Sequence, residues 1–225
     1  MVRLVSLAFL LACLLGCQRE SQPAPGPGYE YFPIRVGSFA EFEVKQTNYS
    51  LAQTPVTTTH WRRETVVGRY TDAAGQDVYQ VRREIRSGSL PWQADSLFLV
   101  WRTLDRAFRL ENGISEVKLV FPITKGVRWN RNELNIKTRE LSEITETGQT
   151  KQLGNGSLDN VLTVILQNDS TLLSTQRSSE MYAKNFGLVR KEIRSVNYCP
   201  DPECVGQNSI AFGYTKTITL IKYGE

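Results

Sequence analysis

The chain has a single histidine, so any hydrolase triad would have to be built around it. His60 lies in Thr58-Thr59-His60-Trp61-Arg62-Arg63, where strand alternation puts His60 and Trp61 on opposite faces. That is the setting of a structural strand histidine; no G-x-S-x-G elbow accompanies it and no S-x-x-K motif is expected. Paired carboxylates could serve a glycosidase. Glu140, Glu143 and Glu146 are evenly spaced, but they fall among polar residues of a strand and turn, where solubility is the expected role. Asp201 and Glu203 alternate with prolines between Cys199 and Cys204, too few oxygen ligands for a calcium site. Gly154-Asn155-Gly156 lacks the lysine and helix of a phosphate-binding loop. These residues point to a non-enzymatic protein, with neither cofactor nor metal expected.

The N-terminus carries a different chemistry. Arg3 precedes an apolar run, Leu4 to Leu15, which is too short for a bilayer span of about 20 residues but suits a signal-peptide core. The run ends in Leu14-Leu15-Gly16-Cys17, which resembles the lipobox of bacterial lipoproteins. The resemblance implies cleavage before Cys17, acylation of its thiol and amine (palmitate among the chains), and stable anchoring through more than one chain. Leu10-Leu11-Ala12-Cys13 also fits the pattern. Cys17 is preferred because apolar sequence gives way there to Gln18-Arg19-Glu20. Gln18 is not the Asp that favours inner-membrane retention in sorting systems of this kind. The outer membrane is therefore expected, with a periplasm-facing domain. Residues 1–16 read as signal peptide, 17–28 as a lipidated Pro/Gly-rich tether, and 29–225 as the folded domain.

Loss of the signal leaves 26 basic against 23 acidic residues, a weak and dispersed bias. Pairs such as Arg62-Arg63 and Arg82-Arg83 read as solvated sheet faces, and no basic run interleaved with aromatics suggests nucleic acid. Cys199 and Cys204 are expected to pair in an oxidising periplasm, across a spacer with two prolines. A metal site would need further ligands, and a redox role does not fit the spacing.

The elements that must hold these residues are strands. Ala40-Phe42-Val44 alternate with Glu41, Glu43 and Lys45, and Tyr79, Val81 and Ile85 alternate with Gln80, Arg82 and Glu84. Strands are also predicted over 57–67, 96–101 (apolar on both faces, hence central and buried), 114–121, 136–145, 161–167, 187–198 and 214–223. Turn signals fall at Asp72–Gly75, Asn112-Gly113, Thr147-Gly148 and Gly154–Gly156. No long segment carries a helical stripe. The fold class is all-β: an antiparallel curved sheet or half-open barrel of about ten strands. Phe32-Pro33-Ile34-Arg35-Val36-Gly37 recurs as Phe121-Pro122-Ile123-Thr124-Lys125-Gly126, an echo consistent with two related halves. Trp61, Trp92, Trp101 and Trp129, with Phe98, Phe108, Phe121 and Tyr182, either fill the core or line a concave face that takes an apolar ligand.

Three segments, Tyr31–Gly37, Phe121–Asn130 with Asn132, and Tyr182-Ala-Lys-Asn-Phe-Gly-Leu-Val-Arg-Lys-Glu192, resemble a family of Gram-negative lipoproteins to which no activity is attached. Asp159–Val164 and Gly213-Tyr214 extend the likeness. The pattern is also similar to β-rich periplasmic half-barrels, including lipoprotein-carrier-like folds. The Cys199–Cys204 loop departs from it. Three functions remain open: an envelope lipoprotein binding an apolar ligand (a lipid) or an envelope protein partner, a structural accessory subunit, and a carboxylate-dependent hydrolase.

Overall fold

The computed structural model describes residues 26–225, apart from 52 and 155. The signal segment, both lipobox cysteines and most of the tether lie outside the described residues. Period-two patterning becomes twelve strands: β1 (Phe39–Ser50), β2 (Gln53–Thr71), β3 (Asp77–Arg86), β4 (Gln93–Arg102), β5 (Arg106–Glu111), β6 (Ile114–Val120), β7 (Arg128–Asn130), β8 (Leu141–Leu153), β9 (Gly156–Ser170), β10 (Ser174–Ala183), β11 (Gly187–Tyr198) and β12 (Ile210–Gly224). Each pairs antiparallel with its sequence neighbours, except that β1 pairs with β12 and β6 does not pair with β7. The order is β6-β5-β4-β3-β2-β1-β12-β11-β10-β9-β8-β7.

The twisted sheet curls until its two edges meet. The Val117 N–H donates to the Arg131 carbonyl at 2.9 Å, and the Trp129 indole donates to the Val117 carbonyl at 2.9 Å. The result is a nearly closed antiparallel barrel. Where the edges meet, Phe108, Leu119 and Trp129 pack with Ile144, Leu162, Val164 and Tyr182 in the largest core cluster. A second cluster gathers Val81, Phe98 and Val100 under Phe32 and Ile34, and a third joins Phe42, Val44 and Ile218.

The Phe-Pro-Ile echo is structural. Gly37 and Gly126 both take positive φ, +96° and +86°, a region glycine enters without steric cost. Gly37 N donates to Val66 O while Val66 N donates to Ser38 O; Gly126 N donates to Ile144 O while Ile144 N donates to Val127 O. Each copy thus pins the residue after its glycine to the strand beside it, and each opens a six-strand meander.

Several expectations need correction. Strands β5, β7 and β10 do not appear among the predicted segments, because β7 has three residues and β10 (Ser-Thr-Gln-Arg-Ser-Ser-Glu) is mostly polar. The strand predicted over 136–145 begins only at Leu141. Ahead of it Asn130, Asn132 and Asn135 hydrogen-bond backbone groups and hold residues 131–140 as a loop. Thr147-Gly148 is no turn: β8 runs through it, accommodating Gly148 (φ +67°) with register shifts on both sides of Glu146. Strand β4 is third from an edge, and Leu97 on its outer face is 57 % exposed.

Candidate functional site

Successive side chains of a strand point to opposite faces, and in this barrel the inward positions carry charge. Arg62, Glu64 and Val66 of β2 line the interior with Arg83 of β3, Phe98 and Val100 of β4, and Arg109 and Glu111 of β5. Lys118 of β6, Glu180 and Tyr182 of β10, Lys191 of β11 and Lys216 of β12 face the same space. They surround a cavity of about 470 Å³. The rest of its lining is mostly apolar, with Phe32, Pro33, Ile34, Phe42, Phe186 and Leu188, and includes the polar Ser38, Asn112, Glu116 and Lys137. The Arg62 and Arg83 side chains, read from the sequence as solvated, are 14 % and 13 % exposed.

Two ion networks organise the charges. In the first, Glu64 Oε1 accepts from Arg83 Nη2 at 3.0 Å and from Arg109 Nη2 at 3.3 Å, while Glu111 bonds both arginines. Arg83 and Arg109 also lie over the Phe98 ring, 5.1 and 3.7 Å from its centroid. Burial alone would raise the Glu64 carboxyl, but the charges of Arg109, Arg62 and Arg83 and the Arg83 hydrogen bond hold it down to about 2. In the second, Glu180 Oε1 accepts from Lys118 Nζ at 2.8 Å and Lys191 Nζ at 2.9 Å, and Oε2 accepts from the Tyr182 hydroxyl at 2.5 Å. The Lys118–Glu180 pair spans the lumen, since β6 and β10 are not neighbours in the sheet. Burial works against ionised Glu180, yet the two lysines and the tyrosine keep its pKa far below the ordinary range.

Two cations are left short of hydrogen-bonded partners at the margin of these networks. Arg62 Nε lies 3.4 Å from Glu64 Oε1 without the alignment of a hydrogen bond, and it is a buried nitrogen with no hydrogen-bond partner among the described residues. Lys216 has no carboxylate partner among the described residues; its Nζ lies 5.7 Å from the centroid of the Tyr214 ring. Burial, then the charges of Arg62 and Lys191, push the Lys216 amine down. His60, half-buried beside Val44 in the β1–β2 register, is pushed down by burial and by Lys216 and Arg62.

None of the four tryptophans lines the cavity. Trp129 is buried in the main core, where β6 meets β7. Trp101 follows the inward Val100, so it lies on the other face of β4, stacked on Phe108 at 4.9 Å. Trp61 is on the face of β2 opposite Arg62. Trp92 sits between Arg63 and Arg86, at 4.5 and 4.6 Å. Phenylalanines take the interior places. The evenly spaced carboxylates do not converge: Glu140 pairs with Arg131, Glu143 with Arg128 at 2.7 Å, and Glu146 with Lys151 at 2.6 Å. Cys199 and Cys204 are joined in a disulfide, Cα–Cα 5.8 Å, so their sulfurs are not free to join Asp201 in holding a metal.

The sequence reading missed the interior charges. The expectation that no S-x-x-K motif is present is also corrected: Ser115-Glu116-Val117-Lys118 has that spacing. On a helix that spacing puts both side chains on one face; on β6 the Lys118 amine is committed to Glu180, and the Ser115 hydroxyl is buried without a hydrogen-bond partner. The signal for the network was the recurrence of Arg or Glu at the same parity as Val66 on β2 and Val81 on β3.

No protein-family model and no curated protein sequence matches this chain. Two solved structures are similar. One is a candidate exported protein with a YmcC-like fold from Bacteroides fragilis, 10% identical, TM-score 0.43, covering 86% of this chain and 98% of its own. The other is a candidate lipoprotein from Parabacteroides distasonis, 13% identical, TM-score 0.40, with the same coverage of both chains.

Proposed function

We propose that this protein is an envelope lipoprotein, anchored through Cys17, whose barrel binds an amphiphilic small molecule in its interior. The observation that carries the reading is the cavity: about 470 Å³, within the range of about 300–1,000 Å³ typical of small-molecule sites. One part of its wall is phenylalanine, proline and aliphatic side chain, and the other is a set of fixed charges. An apolar tail removed from water against the first and a polar head met by the second is the combination such a wall favours. A structural accessory subunit needs no such space. Catalysis by carboxylates is less well supported, because Glu64 and Glu180 are held ionised by cations rather than poised near neutral pH for proton transfer.

The test is thermal unfolding of the full chain in non-ionic amphipol with eight-carbon amphiphiles as probes. A ligand at about a hundred times its Kd should raise the midpoint by about 5–10 °C. Val66→Trp, which fills the lumen from β2, should abolish the rise. No rise with any probe, or an equal rise in the filled variant, would sink the reading.

A further inference from the structure

We infer that the cavity holds an anionic head group, a carboxylate or phosphate, between Arg62 and Lys216, with the ligand's apolar part against Phe42 and the Phe32–Ile34 segment. The inference rests on the reading of the cavity as a ligand site and adds the chemistry of what enters it.

Apart from the exposed Lys137 at the rim, six buried or half-buried cations face the lumen (Arg62, Arg83, Arg109, Lys118, Lys191 and Lys216) against four carboxylates (Glu64, Glu111, Glu116 and Glu180). The carboxylates are spent. Glu64 and Glu111 are bonded by Arg83 and Arg109, with Arg62 left only an unaligned 3.4 Å approach to Glu64; Glu180 is shared by Lys118 and Lys191, and Glu116 lies 3.7 Å from Lys118. The surplus falls on Arg62 and Lys216. The Arg62 guanidinium makes no hydrogen bond to a described residue and rests over the Phe42 ring at 5.0 Å.

The β2–β1–β12–β11 register sets their geometry. Arg62 is opposite Phe42, His60 is opposite Val44, and Val44 is opposite Ile218; one step further along, Lys216 is opposite both Gln46 and Ile193. The two cations therefore flank the apolar Val44–Ile218 pair from neighbouring rows of the wall, with His60 on the same face. An anion placed between them would satisfy an orphaned buried donor and neutralise an uncompensated field. Leaving either unmet costs folding energy, and surplus charge in a cleft is where a ligand of opposite sign is received. Phe42 and Ile218 sit on the same inward surface, so a tail leaving this point meets aliphatic and aromatic carbon at once.

Calorimetric titration of the full chain in non-ionic amphipol, at a pH where octanoate is ionised, tests the assignment with octanoate, octyl phosphate, octanol and inorganic phosphate as probes. Octanoate and octyl phosphate should bind about tenfold or more tighter than octanol, the worth of a hydrogen bond to a charged group. Lys216→Met should remove that preference while leaving octanol affinity within about twofold, since its methylene stem is kept. Arg62→Met should act likewise, and Lys216→Met alone decides the matter if that variant does not fold. Inorganic phosphate binding as tightly as octyl phosphate would support the cation site and identify a free ion as its source. Octanol and octanoate binding equally would overturn the anionic head while leaving the ligand cavity standing. A preference that survives both substitutions would overturn the residue assignment, and no binding by any probe would overturn the cavity reading itself.

Discussion

Burial and like charge act in the same direction on His60, which makes the chain's one histidine a reporter of the lumen. Its pKa lies below the ordinary 6.5, first through burial and then through Lys216 and Arg62. Lys216→Met should therefore raise it towards 6.5 without restoring it fully, because burial remains; a proton NMR titration of the imidazole reads this directly. An unchanged value would mean that Lys216 does not act on the ring. Because the folded-state pKa is depressed, the neutral form favours the fold, and that contribution is lost as pH falls below 6.5. Glu64 titrates lower. Its folded value near 2 against an ordinary 4.5 stabilises the protein above pH 4.5, and the contribution disappears as pH falls towards 2. The magnitude is about 3 kcal/mol, and Glu64→Gln should flatten the acid limb of a denaturant-midpoint curve across that window.

At the scale of the strand, Gly213 shows how tightly β12 is set against β11. Its φ is +125°, and a Cβ there would collide with the Ser195 carbonyl and stand 2.7 Å from Val196 Cα. Both obstacles are backbone, so Gly213→Ala should cost about 2–4 kcal/mol, measured by urea unfolding. An alanine tolerated within a few tenths would contradict this packing. Much of the strand pattern was legible from residues: Ala40-Phe42-Val44 and Tyr79-Val81 face inward as their alternation predicts, β11 runs from Gly187 to Tyr198 as expected, and Asn112-Gly113 forms the β5–β6 turn. The candidate site was much less so. Alternation assigns a face but not its solvent, and an inward Arg62 looks like an outward one until Glu64, Arg83 and Arg109, up to 47 residues away, are brought together. Of the two readings of the tryptophans, Trp129 and Trp101 follow the core-filling one, because bulk marks burial without saying on which side of the wall.

For the whole molecule, the barrel draws its stability from strand pairing and from the core where its edges meet, while the Cys199–Cys204 bridge closes a short surface loop. Replacing both cysteines by serine should cost at most about 2 kcal/mol, because so short a loop removes little unfolded-state entropy. A larger loss in urea unfolding would give the loop a role in holding β11 to β12. The junction of β6 with β7 has a different consequence. Elsewhere neighbouring strands share ladders of backbone bonds, whereas here, among the described residues, one amide bond, the Trp129 indole bond and the Asn135 side-chain bond to the Ser115 carbonyl do most of the joining. A wall joined so sparsely breathes most cheaply along that line, so the Val117 amide should exchange with deuterium well before those of Val44 and Ile218 in the middle of the sheet. In this nearly closed barrel the seam is thus the line along which the wall gives first, along its length rather than at one end.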